Sequence, residues 1–349
     1  MRHLHIHGRE IGPGKPAYII AETSANHNQS LASALELITL AKECGADAVK
    51  IQTYTPDTIT IDCDNECFRI GKGTLWEGKN LYQLYGEAYT PWKWHAELFA
   101  HARNVGITLF SSPFDETAVD LLEKLNAPAY KIASFELVHL PLIRRAARTG
   151  KPLIMSTGMG SLEEIAQAVA AAREAGCKEL ALLKCTSAYP APPEEANLRT
   201  IPHLAEAFGV PSGLSDHTMG SAAAVASVCL GGCIIEKHFT QSRAVPGPDS
   251  AFSMEPAEFK AMVADVRAAE KALGRVSYNL TEKEKASRVF RRSIFVVKDI
   301  PDGGEITPEN VRIIRPSHGL APQHWESVLG RKTRKELRRG EPLLWEALQ

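Results

Sequence analysis

Residues 210–240 read VPSGLSDHTMG, SAAAVASVCLGG and CIIEKHFT. The first apolar segment ends in SDH at 215–217 and the second in EKH at 236–238, with a stretch of small, helix-forming residues between them. Two short apolar runs joined in this way predict a β-α-β unit with parallel strands. His217 and His238 then stand at the C-terminal ends of the two strands, each near a carboxylate. Because such ends converge on one mouth of a closed parallel barrel, the pair predicts a divalent-metal site.

The alternation of a short apolar run and a helix continues across residues 17–273. Together with the opening unit it gives eight β/α repeats. A TIM barrel needs this number of repeats and typically about 250 residues. The sequence therefore predicts an α/β fold, a (β/α)8 TIM barrel. The six further strands are predicted at 17–22, 46–52, 107–112, 129–134, 152–157 and 179–187, and the helices at 30–45, 92–105, 115–125, 140–150, 161–176, 198–208 and 256–273.

Two parts of this region stand outside the repeat. His3, His5 and His7 alternate with apolar residues, which predicts one strand of a β-hairpin that turns at 12–14, with metal binding as the alternative. Residues 53–90 separate one strand from its helix and are rich in aromatic side chains. Long loops in compact domains are usually functional or disordered, and the aromatic content favours an ordered lid or wall.

The pattern changes toward the C-terminus. Residues 280–292 are highly charged and predict a linker, and residues 293–349 contain short strands broken by Pro and Gly turns. We therefore expect a barrel domain at 1–279 and a small, β-rich domain at 293–349. The basic run at 331–339 is interrupted by Glu, which indicates a solvated surface rather than a nucleic-acid site.

Composition excludes several classes of protein. The chain has 349 residues, is 44% hydrophobic and carries a net charge of −1. This balance supports a sizeable core and argues against a nucleic-acid-binding surface. No apolar run reaches the roughly 18 residues of a membrane span, and the N-terminus lacks a signal-peptide core. The cysteines are scattered and odd in number, as in a protein with reduced thiols. We expect a cytoplasmic protein with no nucleic-acid or membrane partner.

A chemically capable side chain stands at the end of every predicted strand. Lysines and hydroxyls together suit phosphate or another oxyanion. Carboxylates can orient a substrate or move protons, and two imidazoles can hold a cation that polarises a carbonyl. The set predicts a reaction between a phosphorylated or carboxylated substrate and a carbonyl compound. The oxyanion candidates are Lys50, Lys131, Lys184, Ser112, Ser134, Ser156 and Ser187, and the carboxylates are Glu22, Asp216 and Glu236.

Simpler explanations exist for single members of this set. A serine at the start of a βα loop can be a helix N-cap, which is the preferred explanation for Ser112 and Ser156 taken alone. The two histidines can be separate residues of a packed core. A lysine inside a barrel mouth is harder to explain, because burying its charge is unfavourable. The recurrence on all eight predicted strands favours a functional site.

The motifs at the strand ends also carry a family resemblance. In chain order they are IIAETSANHNQ, GADAVKIQTY, YKIAS, STGM, LKCTSAYP, GLSDHT, EKHFT, PGPDSAFSMEP, KDIPDGGEIT and IRPSHG. With them the chain resembles the sialic acid synthase family, the phosphoenolpyruvate-dependent nonulosonate synthases. The resemblance covers nearly the whole chain, and it implies that residues 293–349 form an antifreeze-like (SAF, β-clip) domain. It implies an enzyme that joins phosphoenolpyruvate to a sugar aldehyde, adds water and releases phosphate.

The resemblance implies roles for the strand-end residues toward phosphoenolpyruvate. Lys50 is expected near its carboxylate. The family often has Thr in place of Ser112 and Asn in place of Ser187, so the hydrogen bonds at these two positions differ from the family pattern. The residues expected near the phosphate are Ser112, Lys131, Ser134, Ser156 and Ser187.

The resemblance also implies roles toward a metal and a sugar. A manganese or magnesium ion is expected on His217 and His238, where it would polarise the aldehyde. Glu22 and Glu236, and by chemistry also Asp216, are expected to orient substrate or water and move protons. The residues expected to contact an acetamido sugar are Gln52, Tyr54, Tyr189, Asp249 and Arg315.

Within the family, four stretches resemble the subfamily that makes pseudaminic acid from 2,4-diacetamido-2,4,6-trideoxy-L-altrose for surface or flagellar glycans. They are AETSANH, KIQTYTPDTITID, GTLWEGKNLYQLYGEAYTPWKWH and KIASFE. Synthases of N-acetylneuraminic or legionaminic acid are the nearest alternatives. A barrel aldolase or isomerase without phosphoenolpyruvate and a non-catalytic carbohydrate- or ice-binding protein are more distant ones. The resemblance implies a domain-swapped homodimer, in which each small domain reaches over the partner's barrel.

Overall fold

The computed structural model of the protein describes residues 3–71 and 76–349. Residues 72–75, which belong to the predicted 53–90 wall, lie outside the described residues. The chain divides into two compact units, Met1–Gly274 and Arg275–Gln349.

The first unit begins with a short antiparallel hairpin of strands β1 (Leu4–Ile6) and β2 (Arg9–Ile11). His7 and Gly8 form its turn with φ angles of 50° and 80°. Positive φ at both positions is the backbone of a tight two-residue hairpin turn. The turn predicted at 12–14 is therefore wrong, because those residues follow β2 and lead toward the barrel.

Eight parallel strands form a closed barrel, in which the last strand, β10, pairs with the first, β3. The predicted TIM barrel is confirmed. The near-continuous apolar sequences of these strands are typical of parallel strands that are buried on both faces. The strands are β3 (Tyr18–Glu22), β4 (Ala48–Thr53), β5 (Thr108–Pro113), β6 (Tyr130–Ile132), β7 (Leu153–Ser156), β8 (Leu180–Cys185), β9 (Ser212–Asp216) and β10 (Ile234–His238).

Helices alternate with the strands and, apart from those of the 53–90 segment, cover the outside of the barrel. Side-chain caps fix several of their starts, with Ser30 before α1, Asp115 before α5 and Ser161 before α7. Across the described part of the chain, no helix combines the length and the apolar character needed to cross a membrane. The helices are α1 (Leu31–Glu43), α2 (Pro56–Ile59), α3 (Leu81–Ala88), α4 (His95–Val105), α5 (Glu116–Lys124), α6 (Leu140–Ala147), α7 (Leu162–Glu174), α8 (Thr200–Phe208), α9 (Ala222–Cys229) and α10 (Pro256–Leu273).

The side chains of the barrel strands alternate between two cores. Ile20 and Ala48 belong to an inner cluster that also contains Leu4 of the hairpin, so the hairpin closes one end of the barrel. Ile19 and Val49 pack in an outer cluster with the helices. Because successive strand residues face opposite sides, the position of a residue along its strand decides whether its side chain enters the barrel.

The described part of the 53–90 segment is folded and contains α2 and α3. Hydrogen bonds hold both of its ends to neighbouring loops. Gln29 Nε2 donates to the Tyr89 carbonyl at 2.7 Å, and Trp92 Nε1 donates to the Tyr54 carbonyl at 3.1 Å. The described part of the segment therefore forms a folded wall beside the strand ends.

The second unit is a small β-rich domain around the antiparallel strands β11 (Ser293–Val296) and β12 (Val311–Ile314). Its apolar side chains form a core of their own. The segment 280–292, predicted as a linker, contains the short helix α11 (Glu282–Ser287), and α12 (Trp325–Val328) lies later in the unit.

Candidate active site

Four charged side chains meet inside the barrel near the C-terminal ends of its strands, and we call them the charged layer. Lys50 on β4 contacts the Glu22 carboxylate at the end of β3, and its Nζ lies 3.6 Å from Glu236 Oε1 on β10. Lys131 on β6 places its Nζ 3.2 Å from the same oxygen. All four side chains are buried. Such a group of buried charges is a poor way to stabilise a fold, and it indicates a functional site.

Two members of this layer, Lys50 and Glu236, favour each other's charge, whereas burial raises the pKa of Glu22 and lowers that of Lys131. Burial alone would lower the pKa of Lys50, but the Glu22 and Glu236 carboxylates outweigh burial and raise it. Burial also opposes the charge of Glu236, yet Lys131 and Lys50 hold the pKa of Glu236 below its ordinary value. Lys50 and Glu236 are therefore charged at neutral pH. A fixed pattern of buried charge can hold an anionic substrate in one orientation.

Two serine hydroxyls extend the charged layer. Ser112 Oγ on β5 accepts a hydrogen bond from Lys50 Nζ at 3.1 Å. Ser215 Oγ on β9 donates to Glu236 Oε1 at 3.2 Å. The alternative explanation of Ser112 as a helix N-cap is wrong, because Asp115 caps the helix that follows. Ser112 belongs to the polar interior instead.

A second group of hydroxyls surrounds Gly158 in the loop after β7. The Gly158 N–H donates to Ser134 Oγ at 3.2 Å, and a Cβ on Gly158 would lie 2.3 Å from Ser187 Oγ. Ser156 Oγ is buried without a hydrogen-bond partner among the described residues. The alternative explanation of Ser156 as a helix N-cap is also wrong, since Ser161 caps α7. A side chain at position 158 would fill the space between these hydroxyls, and glycine leaves it open. The hydroxyls around this space can bind an oxyanion, and we call them the hydroxyl cradle.

His217 and His238 face each other where β9 and β10 end, with ring centroids 5.3 Å apart. His217 Nδ1 lies 2.9 Å from the Thr186 carbonyl, and this contact assigns a hydrogen to Nδ1. Burial opposes a charge on His217, but the neighbouring Cys185 sulfur outweighs burial and raises the pKa of His217, so a cation on Nε2 would displace a proton. His238 Nδ1 is buried with no hydrogen-bond partner in the described part of the chain. Burial, with His217 and Lys50 adding to it, holds the pKa of His238 well below 6.5. His238 is therefore neutral, which is the metal-binding form of imidazole.

This imidazole pair fits a divalent cation as part of its ligand set. Residues 3–71 and 76–349 contain no group of three or more His, Cys, Asp or Glu side chains arranged to hold a metal. The remaining coordination positions would come from water or substrate. A partly open site of this kind suits a cation that polarises a carbonyl oxygen.

A cavity of about 360 Å³ opens beside His238, and four of the five predicted sugar contacts line it. Gln52 Nε2 donates to Ser24 Oγ at 3.0 Å, and this hydroxyl contacts the Asp249 carboxylate. Tyr189 also lines the cavity, with its ring centroid 4.3 Å from that of His217. The four residues are Gln52, Tyr54, Tyr189 and Asp249.

Glu136 lines the same cavity, and sequence reasoning missed it. It lies in a 3₁₀ turn, Ser134–Glu136, after β6, where the strand pattern gives no indication of which side chains point inward. Its Oε2 atom is buried and has no hydrogen-bond partner among the described residues. Burial raises the pKa of Glu136 to about 7, with its own backbone N–H and the more distant Lys131 opposing part of the shift.

Two of the predicted strand-end residues do not join the others. Asp216 Oδ2 lies 2.7 Å from Lys237 Nζ, and its Oδ1 accepts a hydrogen bond from the Thr218 N–H. Lys184 Nζ donates to the carbonyl of the adjacent Cys185 at 2.7 Å. Both residues have the outward-facing position along their strands, so the expectation that they share the barrel interior is wrong.

The inward positions of these two strands belong to residues that the sequence analysis did not select. On β9 the inward residue is Ser215, which bonds to Glu236 as described above. On β8 it is Cys185, whose Sγ lies 3.8 Å from His217 Nδ1. Alternation from the inward-facing His217 could have identified Ser215, whereas a cysteine in an apolar strand looks like an ordinary core residue.

Arg315, the remaining predicted sugar contact, belongs to the second unit. It follows β12, its side chain is exposed, and its peptide bond to Pro316 is cis. Its role stays a prediction.

An eight-stranded parallel barrel with charged, hydroxyl and imidazole groups at its C-terminal mouth is the arrangement of a TIM-barrel enzyme. The particular class follows from comparison with known proteins. The chain belongs to the NeuB family, which it matches over residues 37–278, and residues 291–349 match the SAF domain. The resemblance to the sialic acid synthases is confirmed, and the chain is a phosphoenolpyruvate-dependent enzyme of the sialic acid synthase type.

Similar proteins cover nearly the whole chain. It is 47% identical over 330 residues to the pseudaminic acid synthase of Helicobacter pylori, covering 94% of this chain and 97% of that protein. It is 36% identical over 343 residues to the N,N'-diacetyllegionaminic acid synthase of Legionella pneumophila, covering 97% and 96%. The crystal structure of N-acetylneuraminic acid (sialic acid) synthetase from Leptospira borgpetersenii in complex with citrate has a TM-score of 0.73 at 29% identity, and the match covers 82% of this chain and 95% of that one.

Proposed function

We propose that this protein condenses phosphoenolpyruvate with 2,4-diacetamido-2,4,6-trideoxy-L-altrose and water to give pseudaminic acid and inorganic phosphate. The observation that carries the proposal is the charged layer, which lies among buried hydroxyls and an imidazole pair at one barrel mouth. The 47% identity to the Helicobacter pylori pseudaminic acid synthase, over 94% of this chain, supports the choice of sugar.

In this proposal the hydroxyl cradle and the lysines bind phosphoenolpyruvate. Lys50 pairs with its carboxylate, because Lys50 is charged and buried beside hydroxyls rather than exposed to water. The hydroxyl of Ser134, which accepts from the Gly158 N–H, and the free hydroxyl of Ser156 add donors for phosphate oxygens. The residues assigned to the phosphate are Ser112, Lys131, Ser134, Ser156 and Ser187.

The imidazole pair and the cavity receive the aldehyde end of the open-chain sugar. A manganese or magnesium ion held by His217 and His238 supplies Lewis-acid polarisation of the aldehyde when it is bound. Asp249 and Gln52 orient the sugar hydroxyls, and Tyr189 packs against the sugar beside His217.

Glu22 and Glu236 handle the protons of the reaction. C3 of phosphoenolpyruvate forms a bond to the aldehyde carbon, and the aldehyde oxygen takes up a proton. Water adds to C2 and gives up a proton, and the bond between C2 and the phosphate oxygen then breaks. Glu22 and Glu236 lie against Lys50 at the charged layer, within reach of both proton transfers, which suits carboxylates that act as acid and base.

We further propose that two chains assemble into a domain-swapped homodimer in the cytoplasm, with Arg315 of each chain contacting the acetamido group in the partner's site. Mixing the inactive variants Arg315→Ala and His238→Ala tests this assembly. In the mixed dimer, one site has both functional residues, so about a quarter to a half of the wild-type activity should return. No recovery in a verified mixed dimer would contradict the shared site.

Phosphate release from phosphoenolpyruvate, measured with manganese, tests the reaction. The sugars to compare are the diacetamido altrose, the corresponding legionaminic acid precursor and N-acetylmannosamine. Release with the first alone supports the proposal. Release mainly with the second would instead favour the legionaminic acid reaction, for which the Legionella relative is the precedent. The double variant His217→Ala, His238→Ala is the matched control and should be inactive with every sugar.

A further inference from the structure

The cavity beside His238 has two chemically different parts. Ser24, Gln52 and Asp249 form a hydrogen-bonded polar part. The other part is lined by side chains of α2, α3 and the loop after β5, and we call it the α3 chamber. A polar part suits sugar hydroxyls, whereas an apolar part suits a hydrocarbon group. The residues of the α3 chamber are Ile59, Leu84, Tyr85, Ala88 and Phe114.

Aromatic contacts hold the wall of the α3 chamber in place. The ring of Tyr54 stands edge-on to Phe114 at 5.0 Å and to Tyr85 at 5.7 Å between centroids. Such edge-to-face packing is a favourable arrangement of aromatic rings. The chamber is therefore a built feature of the 53–90 segment, and its shape can select among ligands.

A carboxyl with an unused acceptor atom borders the α3 chamber. Glu136 Oε2 is buried and has no hydrogen-bond partner among the described residues. Glu136 and Tyr85 line the same cavity. By contrast, Asp249 already accepts hydrogen bonds from Ser24 and from the Ala25 N–H. A buried acceptor without a donor indicates that a ligand supplies one.

We propose that the α3 chamber is the subsite for the acetamido group on C4 of the sugar, with Glu136 accepting its N–H and the chamber wall packing its methyl group. This inference rests on the condensation proposed above. An acetamido group carries an N–H donor next to an apolar methyl group. The α3 chamber offers the matching pair, an acceptor beside Leu84, Ala88 and Phe114.

The same features disfavour a sugar with a hydroxyl on C4. That hydroxyl leaves the apolar part of the chamber without a contact, so no packed methyl group holds it against Glu136. Loss of a small apolar group from a fitted pocket lowers kcat/KM by about 10- to 200-fold. The α3 chamber is therefore expected to determine the preference for a diacetamido sugar, while the charged layer serves the reaction itself.

Two sugars that differ only at C4 test the subsite. They are 2,4-diacetamido-2,4,6-trideoxy-L-altrose and its 4-hydroxy analogue, 2-acetamido-2,6-dideoxy-L-altrose. Ala88→Phe fills the α3 chamber, and Gln83→Phe adds the same ring on the exposed side of α3 as a control. At pH 8, Ala88→Phe should lower kcat/KM for the diacetamido sugar at least about tenfold but change that of the analogue less than about twofold. Gln83→Phe should change neither value.

Glu136 supplies a second and independent test. Glu136→Leu should lower the preference for the diacetamido sugar about tenfold, whereas Glu136→Gln keeps an acceptor oxygen and should retain most of the preference. Ala88→Leu replaces Ala88→Phe if circular dichroism shows that the larger ring prevents folding. Equal losses with both sugars, or an unchanged preference in Ala88→Phe and Glu136→Leu, would overturn the subsite and leave the proposed reaction intact. If none of the nonulosonate precursors supports phosphate release by the wild type, both proposals fail.

Discussion

The charged layer and the α3 chamber lie at the same barrel mouth but are built in different ways. The charged layer stands on barrel strands, where Lys50 and Lys131 each pair with Glu236 at fixed positions. The α3 chamber stands on short helices and loops, and its walls are held by aromatic packing. Strands fix groups that must meet a reacting atom, whereas a loop-built wall can vary without disturbing them.

This contrast predicts different consequences for substitutions in the two regions. A change in the charged layer leaves a buried charge without a partner, so both turnover and stability should suffer. A change in the α3 chamber alters the fit of one sugar substituent, so the choice of sugar should change while turnover of phosphoenolpyruvate remains possible.

Lys131→Met should have the largest effect. It keeps the shape of the side chain but leaves Glu236 without its closest cation, and breaking a buried pair costs about 3–5 kcal/mol. We expect kcat/KM for phosphoenolpyruvate to fall by about 10²- to 10³-fold. Steady-state phosphate release and thermal unfolding measure the two effects. Lys184→Met is the matched control, since Lys184 bonds to its own strand, and a loss as large as that of Lys131→Met would contradict the charged layer.

Gly158→Ala should weaken binding of phosphoenolpyruvate while leaving the fold intact. The added Cβ would lie 2.3 Å from Ser187 Oγ and 2.7 Å from Ser134 Oγ, so both hydroxyls must move. We expect KM for phosphoenolpyruvate to rise by about 30- to 100-fold with a smaller change in KM for the sugar. Gly86→Ala on α3 is the control, because its Cβ would meet nothing nearer than 3.9 Å. A normal KM in Gly158→Ala would remove the cradle from the phosphate site.

Much of the charged layer could be predicted because strand ends in a parallel barrel converge whatever the details of packing. Apolar runs marked the strands, and a lysine or glutamate at the end of such a run is conspicuous. What the runs did not show was the inward or outward direction of each residue. On β9, neighbouring residues face opposite sides, with Ser215 inward and Asp216 outward. The sequence pattern favours Asp216, because a carboxylate is the more reactive group, although Ser215 is the residue that faces the site.

The α3 chamber could be anticipated only as an aromatic wall. Its shape depends on how α2 and α3 pack against Phe114, which no local pattern specifies. Glu136 was missed because β6 ends at Ile132 and the chain turns immediately afterwards. Similarly, the hairpin turns at His7 and Gly8 and not at the GPG sequence of residues 12–14. Ile6 pairs with Arg9, and this pairing leaves only two residues for the turn.

Glu136→Gln should stabilise the folded protein at high pH, which separates the α3 chamber from the charged layer. The pKa of Glu136 is raised from 4.5 to about 7, so the folded state holds this proton more tightly than the unfolded state. The stability that this provides is complete below about pH 4.5 and is lost as the pH rises through about 7. At pH 8 the variant should be more stable than the wild type by about 3 kcal/mol, and this advantage should disappear near pH 4.

Chemical unfolding across this pH range measures the effect of Glu136. The control is Glu87→Gln, which changes an exposed carboxylate of α3. Glu164→Gln is less suitable, because Glu164 takes part in a helix cap. The pH dependence of Glu136→Gln is compared with that of Glu87→Gln as the surface reference. The quantity to compare is the difference in unfolding free energy between Glu136→Gln and the wild type. If this difference is the same at every pH, the Glu136 carboxyl is not held in an apolar environment.

Trp76→Ala should have the smallest effect, and it tests whether the wall acts on the sugar alone. Trp76 Nε1 donates to the Pro248 carbonyl at 3.1 Å, and its ring lies 5.9 Å from that of Tyr189 between centroids. Removing the ring should raise KM for the diacetamido sugar about three- to tenfold, on the order of 1 kcal/mol of lost packing. KM for phosphoenolpyruvate should stay within about twofold, because the charged layer does not touch this ring. Ile61→Ala, at an exposed position of the same segment, is the control, and an unchanged KM for the sugar in Trp76→Ala would show that the wall does not contact it.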